Sequence, residues 1–67
     1  MNIDAIKEVR DASPFKAFVI RTADGTAFEV PNHDCLLLAE HGQTIIVVTP
    51  DQKFHILATD LVASIGR

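Results

Sequence analysis

The chain has no Trp and no Tyr, so its four Phe residues supply all of the aromatic packing. A single cysteine, Cys35, excludes an internal disulfide and fits a reducing compartment. Glycine and proline number three each in 67 residues, too few for a disordered or collagen-like chain. Cations are few as well: six Lys and Arg stand against nine Asp and Glu, for a formal charge of −3, and the basic residues are scattered. Non-specific DNA binding draws its affinity from clustered cations on phosphates, so this composition argues against it. No apolar run approaches the roughly 20 residues that span a bilayer, and no signal-peptide pattern opens the chain. The expectation is a cytoplasmic protein without membrane contact.

What is present is 48% hydrophobic residues in a chain of positive mean hydropathy. That is globular composition in one domain, residues 1–67, near the lower size limit for a self-sufficient core. A chain this short and this apolar cannot readily hide all of its hydrophobic surface, and oligomerisation is a usual remedy.

Residues 18–30, FVIRTADGTAFEV, are two alternating runs closed by Asp24-Gly25, a strong hairpin signal. A two-residue loop would pair Arg21 with Phe28 and Ile20 with Glu29, setting a charge beside an apolar residue on each face. A three-residue loop, Ala23-Asp24-Gly25, pairs Ile20 with Phe28 and Phe18 with Val30, and leaves Arg21 and Glu29 on the other face. A one-residue slip inverts every side chain, so the three-residue loop is expected. It needs a left-handed residue at its end, which glycine adopts freely.

Upstream, residues 2–12 read as a short amphipathic helix capped by Asn2, with Ile3, Ile6 and Val9 as its apolar stripe and Pro14 beyond its end. Downstream, 26–39 read as one strand bent at 31–34, or as two strands with a kink. Glu40-His41-Gly42 resembles the first loop, and a matching register pairs Leu38 with Thr44, Leu37 with Ile45 and Leu36 with Ile46. Residues 44–49, TIIVVT, are apolar on both faces. Pro50-Asp51-Gln52 makes a third such loop, pairing Val48 with Phe54, Val47 with His55, Ile46 with Ile56 and Ile45 with Leu57, with Gln52 left-handed at a cost of about 1 kcal/mol. Thr59-Asp60-Leu61 makes a tight turn and Val62 to Ile65 a last short strand.

These elements predict an all-β domain: a five-stranded antiparallel SH3-like or Sm-like barrel, residues 15–67, behind an N-terminal helical segment, residues 1–13. Closure would remove the exposed edges of so small a meander. Phe18, Ile20, Phe28, Val30, Leu36, Ile46, Val48, Phe54 and Ile56 are then expected inside.

Several stretches carry a resemblance: Pro14-Phe15-Lys16-Ala17-Phe18, Ala23-Asp24-Gly25, Val30-Pro31-Asn32-His33-Asp34, residues 42–48, Pro50-Asp51-Gln52 and residues 61–65. Over nearly its whole length the chain resembles a family of short, functionally uncharacterised bacterial proteins. Their pattern is a helix, a Pro-Phe-x-Pro-Phe entry, an Asp-Gly hairpin, a Pro-Asp-Gly turn and a closing Leu-Val-x-x-Leu. Ala17 stands for the second proline of Pro-Phe-x-Pro-Phe, Asn32-His33 for the His-Pro of a Val-Pro-His-Pro-Glu stretch after the hairpin, and Gln52 for the glycine of the turn. The resemblance implies no activity and no site residues.

Chemistry-bearing residues are sparse. His33 and Cys35 lie two apart and, with His41 and His55, are the soft metal ligands available, but ligand pairs at both ends of a loop are absent. No metal and no cofactor are expected. Cys35 with His33 as nucleophile and base, or Asp34 and Glu40 as paired carboxylates, lack an orienting third group, so no catalytic residue and no enzymatic activity are expected. Binding RNA would require Arg10, Lys16, Arg21, Lys53 and Arg67 to converge beside stacking platforms, and the Phe residues are assigned to the core. The expected function is a binding or assembly module, a homo-oligomer or the partner of another protein, whose contact surface is the second apolar face: Leu37, Ile45, Val47 and Leu57. The alternatives are an Sm-like RNA-binding protein and a metal-binding protein using His33 and Cys35.

Overall fold

The computed structural model describes residues 2–39 and 41–66. Helix α1 spans Ile3–Arg10, shorter than the residues 2–12 expected. The Asn2 side chain accepts from the Asp4 N–H at 2.8 Å, a cap that stabilises by about 1 kcal/mol. At the other end the Asp11 N–H donates to the Lys7 carbonyl at 2.9 Å, and the Asp11 carboxylate holds the Arg10 guanidinium at 2.8 Å. Ile6 is fully buried, with Ile3 and Val9 half-buried beside it, so the helix docks on its own chain's core.

Six strands follow: β1 (Phe18–Thr22), β2 (Ala27–Val30), β3 (Leu36–Leu38), β4 (Thr44–Val48), β5 (Phe54–Ala58) and β6 (Val62–Gly66). They form two antiparallel three-stranded sheets, β2-β1-β6 and β3-β4-β5. The first hairpin has the expected register, Phe18 opposite Val30 and Ile20 opposite Phe28, closed by Thr22 N–H to Thr26 O at 2.9 Å over Gly25 at φ +89°. The β4–β5 hairpin also matches, from Ile45 opposite Leu57 to Val48 opposite Phe54, with Gln52 at φ +66°.

Two expectations are corrected. The first is the closed barrel: residues 26–39 take the second of the two forms expected, two strands, parted by a 3-10 turn, His33–Cys35, capped by Asn32, whose side chain accepts from the Asp34 N–H at 3.2 Å. This break separates β2 from β3, and among the described residues no ladder joins the two sheets. The five strands of a closed barrel are therefore six strands in two open sheets, linked through residues 31–35 and through the 3-10 turn Thr59–Leu61.

The second correction is the β3–β4 register. Leu36 lies opposite Val47, Leu37 opposite Ile46 and Leu38 opposite Ile45, one residue away from the expected pairing. The turn itself is as expected, with Gly42 N–H to Ala39 O at 3.0 Å and Gly42 at φ +74°. Gln43, however, adds a fourth loop residue before the ladder closes with Ala39 N–H to Thr44 O at 2.9 Å. Thr59 fixes this longer loop from the 3-10 turn after β5: its N–H donates to Gln43 O and its hydroxyl to Gly42 O, both at 3.0 Å. Glu40 lies outside the described residues.

The slip turns β4 and β5 over, while β3 keeps Leu36 inside and Leu37 outside as expected. Ile45 and Val47 are fully buried with Leu36, and they join Ile6, Phe18, Ile20, Val30 and Val62 in the core. Burying an aliphatic side chain completely contributes about 1.5–3 kcal/mol, so this choice of face is decisive for stability. Among the described residues no helix is long and apolar enough to cross a membrane.

Candidate interaction face

With Ile45 and Val47 inside, their neighbours point out. Across the outer face of the second sheet, Leu37, Ile46 and Ile56 stand in one row, and Val48 and Phe54 stand in the next. Strands lie about 4.8 Å apart, so each row is a set of touching side chains. Phe54 is 69% exposed, Ile56 64% and Leu37 55%, while Ile46 and Val48 on the central strand are partly covered by them. Thr44 and Ala58 complete the outward positions, so none of them carries a charge. The ends of the face do: Lys53, 3.9 Å from the Asp51 carboxylate, at one, and Asp60 at the other.

Of the four residues expected to form a contact surface, the structure places Leu37 alone on the outside. Ile45 and Val47 have no exposure and Leu57 is half-buried against the core. Conversely Phe54 and Ile56, expected inside, are the most exposed large apolar residues described, and Ile46 and Val48 face outward with them. Nothing in the strand pattern marks this face, because both faces of residues 44–48 are apolar. The one available signal is Gln43, if it is counted into the loop.

The other candidate residues are dispersed. His33 is exposed, with Nε2 3.1 Å from the Asp34 carboxylate and its ring 6.2 Å from that of Phe15. The Cys35 thiol lies 3.4 Å from the Asn32 side-chain oxygen. His41 is exposed in the β3–β4 loop, and His55 points inward with its ring 4.8 Å from Phe28. Among the described residues no group of three His, Cys, Asp or Glu side chains converges on one point.

Of the basic residues, Arg10 is held by Asp11, whose carboxyl that hydrogen bond keeps below its ordinary range. Lys16 lies between α1 and β1, Arg21 is on β1 beside Gly66, and Arg67 lies outside the described residues. An open cleft of about 330 Å³ between α1 and the β3–β4 loop is lined by Lys7, Arg10 and His41, but also by Asp4.

Comparisons with family models, with curated proteins and with solved structures return no match.

Proposed function

We propose that the chain is a non-enzymatic assembly module that self-associates through the outer face of β3, β4 and β5. The observation that carries this reading is the uncharged row Leu37–Ile46–Ile56 with Phe54 beside it, open to water. Contiguous apolar surface of this kind marks a contact site. Its three most exposed side chains present on the order of 350 Å², against about 800 Å² per partner in a standard interface. The face therefore supports a weak, concentration-dependent association rather than an obligate one.

The same reading takes the fold as an SH3-like or Sm-like arrangement in which β2 and β3 are the halves of one bent strand. Its support is the leading helix, the paired three-stranded sheets and the 3-10 turn before the last strand. Kinship with the short bacterial family rests on the sequence stretches quoted above. A cytoplasmic setting rests on the single thiol.

Sedimentation velocity between about 1 µM and about 1 mM tests the proposal. The wild-type mass is expected to rise with concentration, and that of a Leu37→Ser/Phe54→Ser variant to stay monomeric. A monomer throughout overturns the reading. An Sm-like RNA-binding reading has one observation in its favour, the exposure of Phe54 next to Lys53. Retention of short single-stranded RNA at low salt, lost in Phe54→Ser, would replace self-association by it.

A further inference from the structure

The four outer strand edges are not equally defended. β3 is three residues long, β2 carries Glu29 and runs into Pro31, and β6 meets β1 through an irregular register at Arg21 and Thr22. Short strands, charges, prolines and irregularities are the devices that keep edges from pairing. β5 has five residues, FHILA, with none of these devices.

The β4–β5 ladder fixes which groups β5 offers. Thr49 N–H donates to Lys53 O at 2.8 Å and Thr59 N–H to Gln43 O at 3.0 Å, so with the register between them Lys53, His55, Leu57 and Thr59 bond toward β4. The N–H groups of Phe54, Ile56 and Ala58 and the C=O groups of Phe54 and Ile56 then point away from the sheet, along its free edge. The same residues hold the exposed side chains of the outer face.

We infer that β5 pairs antiparallel with β5 of a second copy of this chain, about a two-fold axis at Ile56. The inference rests on the self-association proposed above and adds to it a contact at the free edge of β5, which joins the two outer faces side by side without covering them. With Ile56 opposite the partner's Ile56, each Ile56 N–H meets the partner's Ile56 carbonyl, and each Ala58 N–H meets the partner's Phe54 carbonyl. Centring the axis one residue earlier would make as many bonds, between Phe54 and the partner's Ile56, but would bring Ala58 against the left-handed Gln52 and leave its N–H unpaired. Charge selects the direction. Antiparallel pairing sets Lys53 opposite the partner's Thr59, one residue from Asp60, at both ends, whereas parallel pairing in register sets Lys53 against Lys53 and Asp60 against Asp60. The product is one six-stranded sheet whose outer faces merge on one side.

Ala58→Pro is the decisive variant. Ala58 has φ −72° and ψ 137°, a conformation proline adopts, is exposed, and makes no ladder bond through its N–H, so the monomer keeps its fold. Association is expected to weaken by about tenfold or more. In the wild type, amide exchange at Phe54, Ile56 and Ala58 is expected to slow as concentration rises. Association with these three amides unprotected, and undiminished in Ala58→Pro, overturns the edge pairing while leaving face contact intact. A wild-type monomer at every concentration overturns both. If the proline variant does not fold, the exchange pattern alone decides.

Discussion

Ile3 of the helix lies directly over Gly42 of the β3–β4 loop. A methyl group on Gly42 would meet Ile3 Cγ2 at 2.9 Å and Cβ at 3.3 Å, and the backbone there is at φ +74°. The Gly42 carbonyl also accepts the Thr59 hydroxyl, so helix, loop and 3-10 turn meet at one residue. Gly42→Ala is expected to destabilise by about 2–4 kcal/mol, combining a left-handed penalty with overpacking. Gly25→Ala shares the positive φ but has nothing within 4 Å, and should cost about 1–2 kcal/mol. Urea unfolding compares them directly, and equal losses would mean that the helix does not rest on this loop.

The orientation of the second sheet gives a sharper contrast. Ile45 has no exposure, while its neighbour Ile46 faces outward. Ile45→Ala should cost about 2–5 kcal/mol, the range for deleting a fully buried aliphatic side chain. Phe54→Ala, at a site 69% exposed, should stay within about 0.5 kcal/mol of the wild type when measured at low protein concentration. The reverse ordering would put Phe54 inside and restore the register expected from sequence.

That contrast locates where the sequence stops being legible. In the first sheet Arg21 and Glu29 label the solvent side, so loop length and register follow from charge alone. In the second sheet Leu36, Leu37 and Leu38 face Ile45, Ile46 and Val47 with no charge on either side. Orientation then depends entirely on loop length, and Gln43 changes it by one residue. His55 points the wrong way as a clue: polar in sequence, it turns inward because its ring packs on Phe28. The β1–β2 and β4–β5 hairpins are therefore readable, while the β3–β4 register and the face it exposes are not, since a face composed of the same residue types as the core carries no label.

Gln52 occupies the third turn at φ +66°, where Gly25 and Gly42 occupy the other two. A left-handed L-residue costs about 1–2 kcal/mol, partly offset here because glycine loses more chain entropy on folding. Gln52→Gly is thus expected to raise the melting temperature through about 0.5–1 kcal/mol of added stability. No gain, or a loss, would show that the Gln52 side chain makes a compensating contact.

Thr22 and Thr49 stand at equivalent places in their turns, and each donates its hydroxyl to the carboxylate two residues on, Asp24 and Asp51. Asp24 also accepts the Thr26 N–H at 3.1 Å, and Lys53 lies near Asp51. The threonine hydroxyls are the main cause that holds both carboxyls below the ordinary value of 3.8 in the folded chain. A carboxyl whose folded value is depressed favours folding above its unfolded value and loses that contribution as pH falls through the folded one. Thr22→Val/Thr49→Val should therefore be less stable than the wild type near neutral pH, and the gap should close as pH is lowered from about 4 toward 2. Unfolding curves across that interval check it. A gap that stays constant with pH would mean that the hydroxyls stabilise the turns through their neighbouring carbonyls, Thr26 O and Lys53 O, and not through the carboxylates.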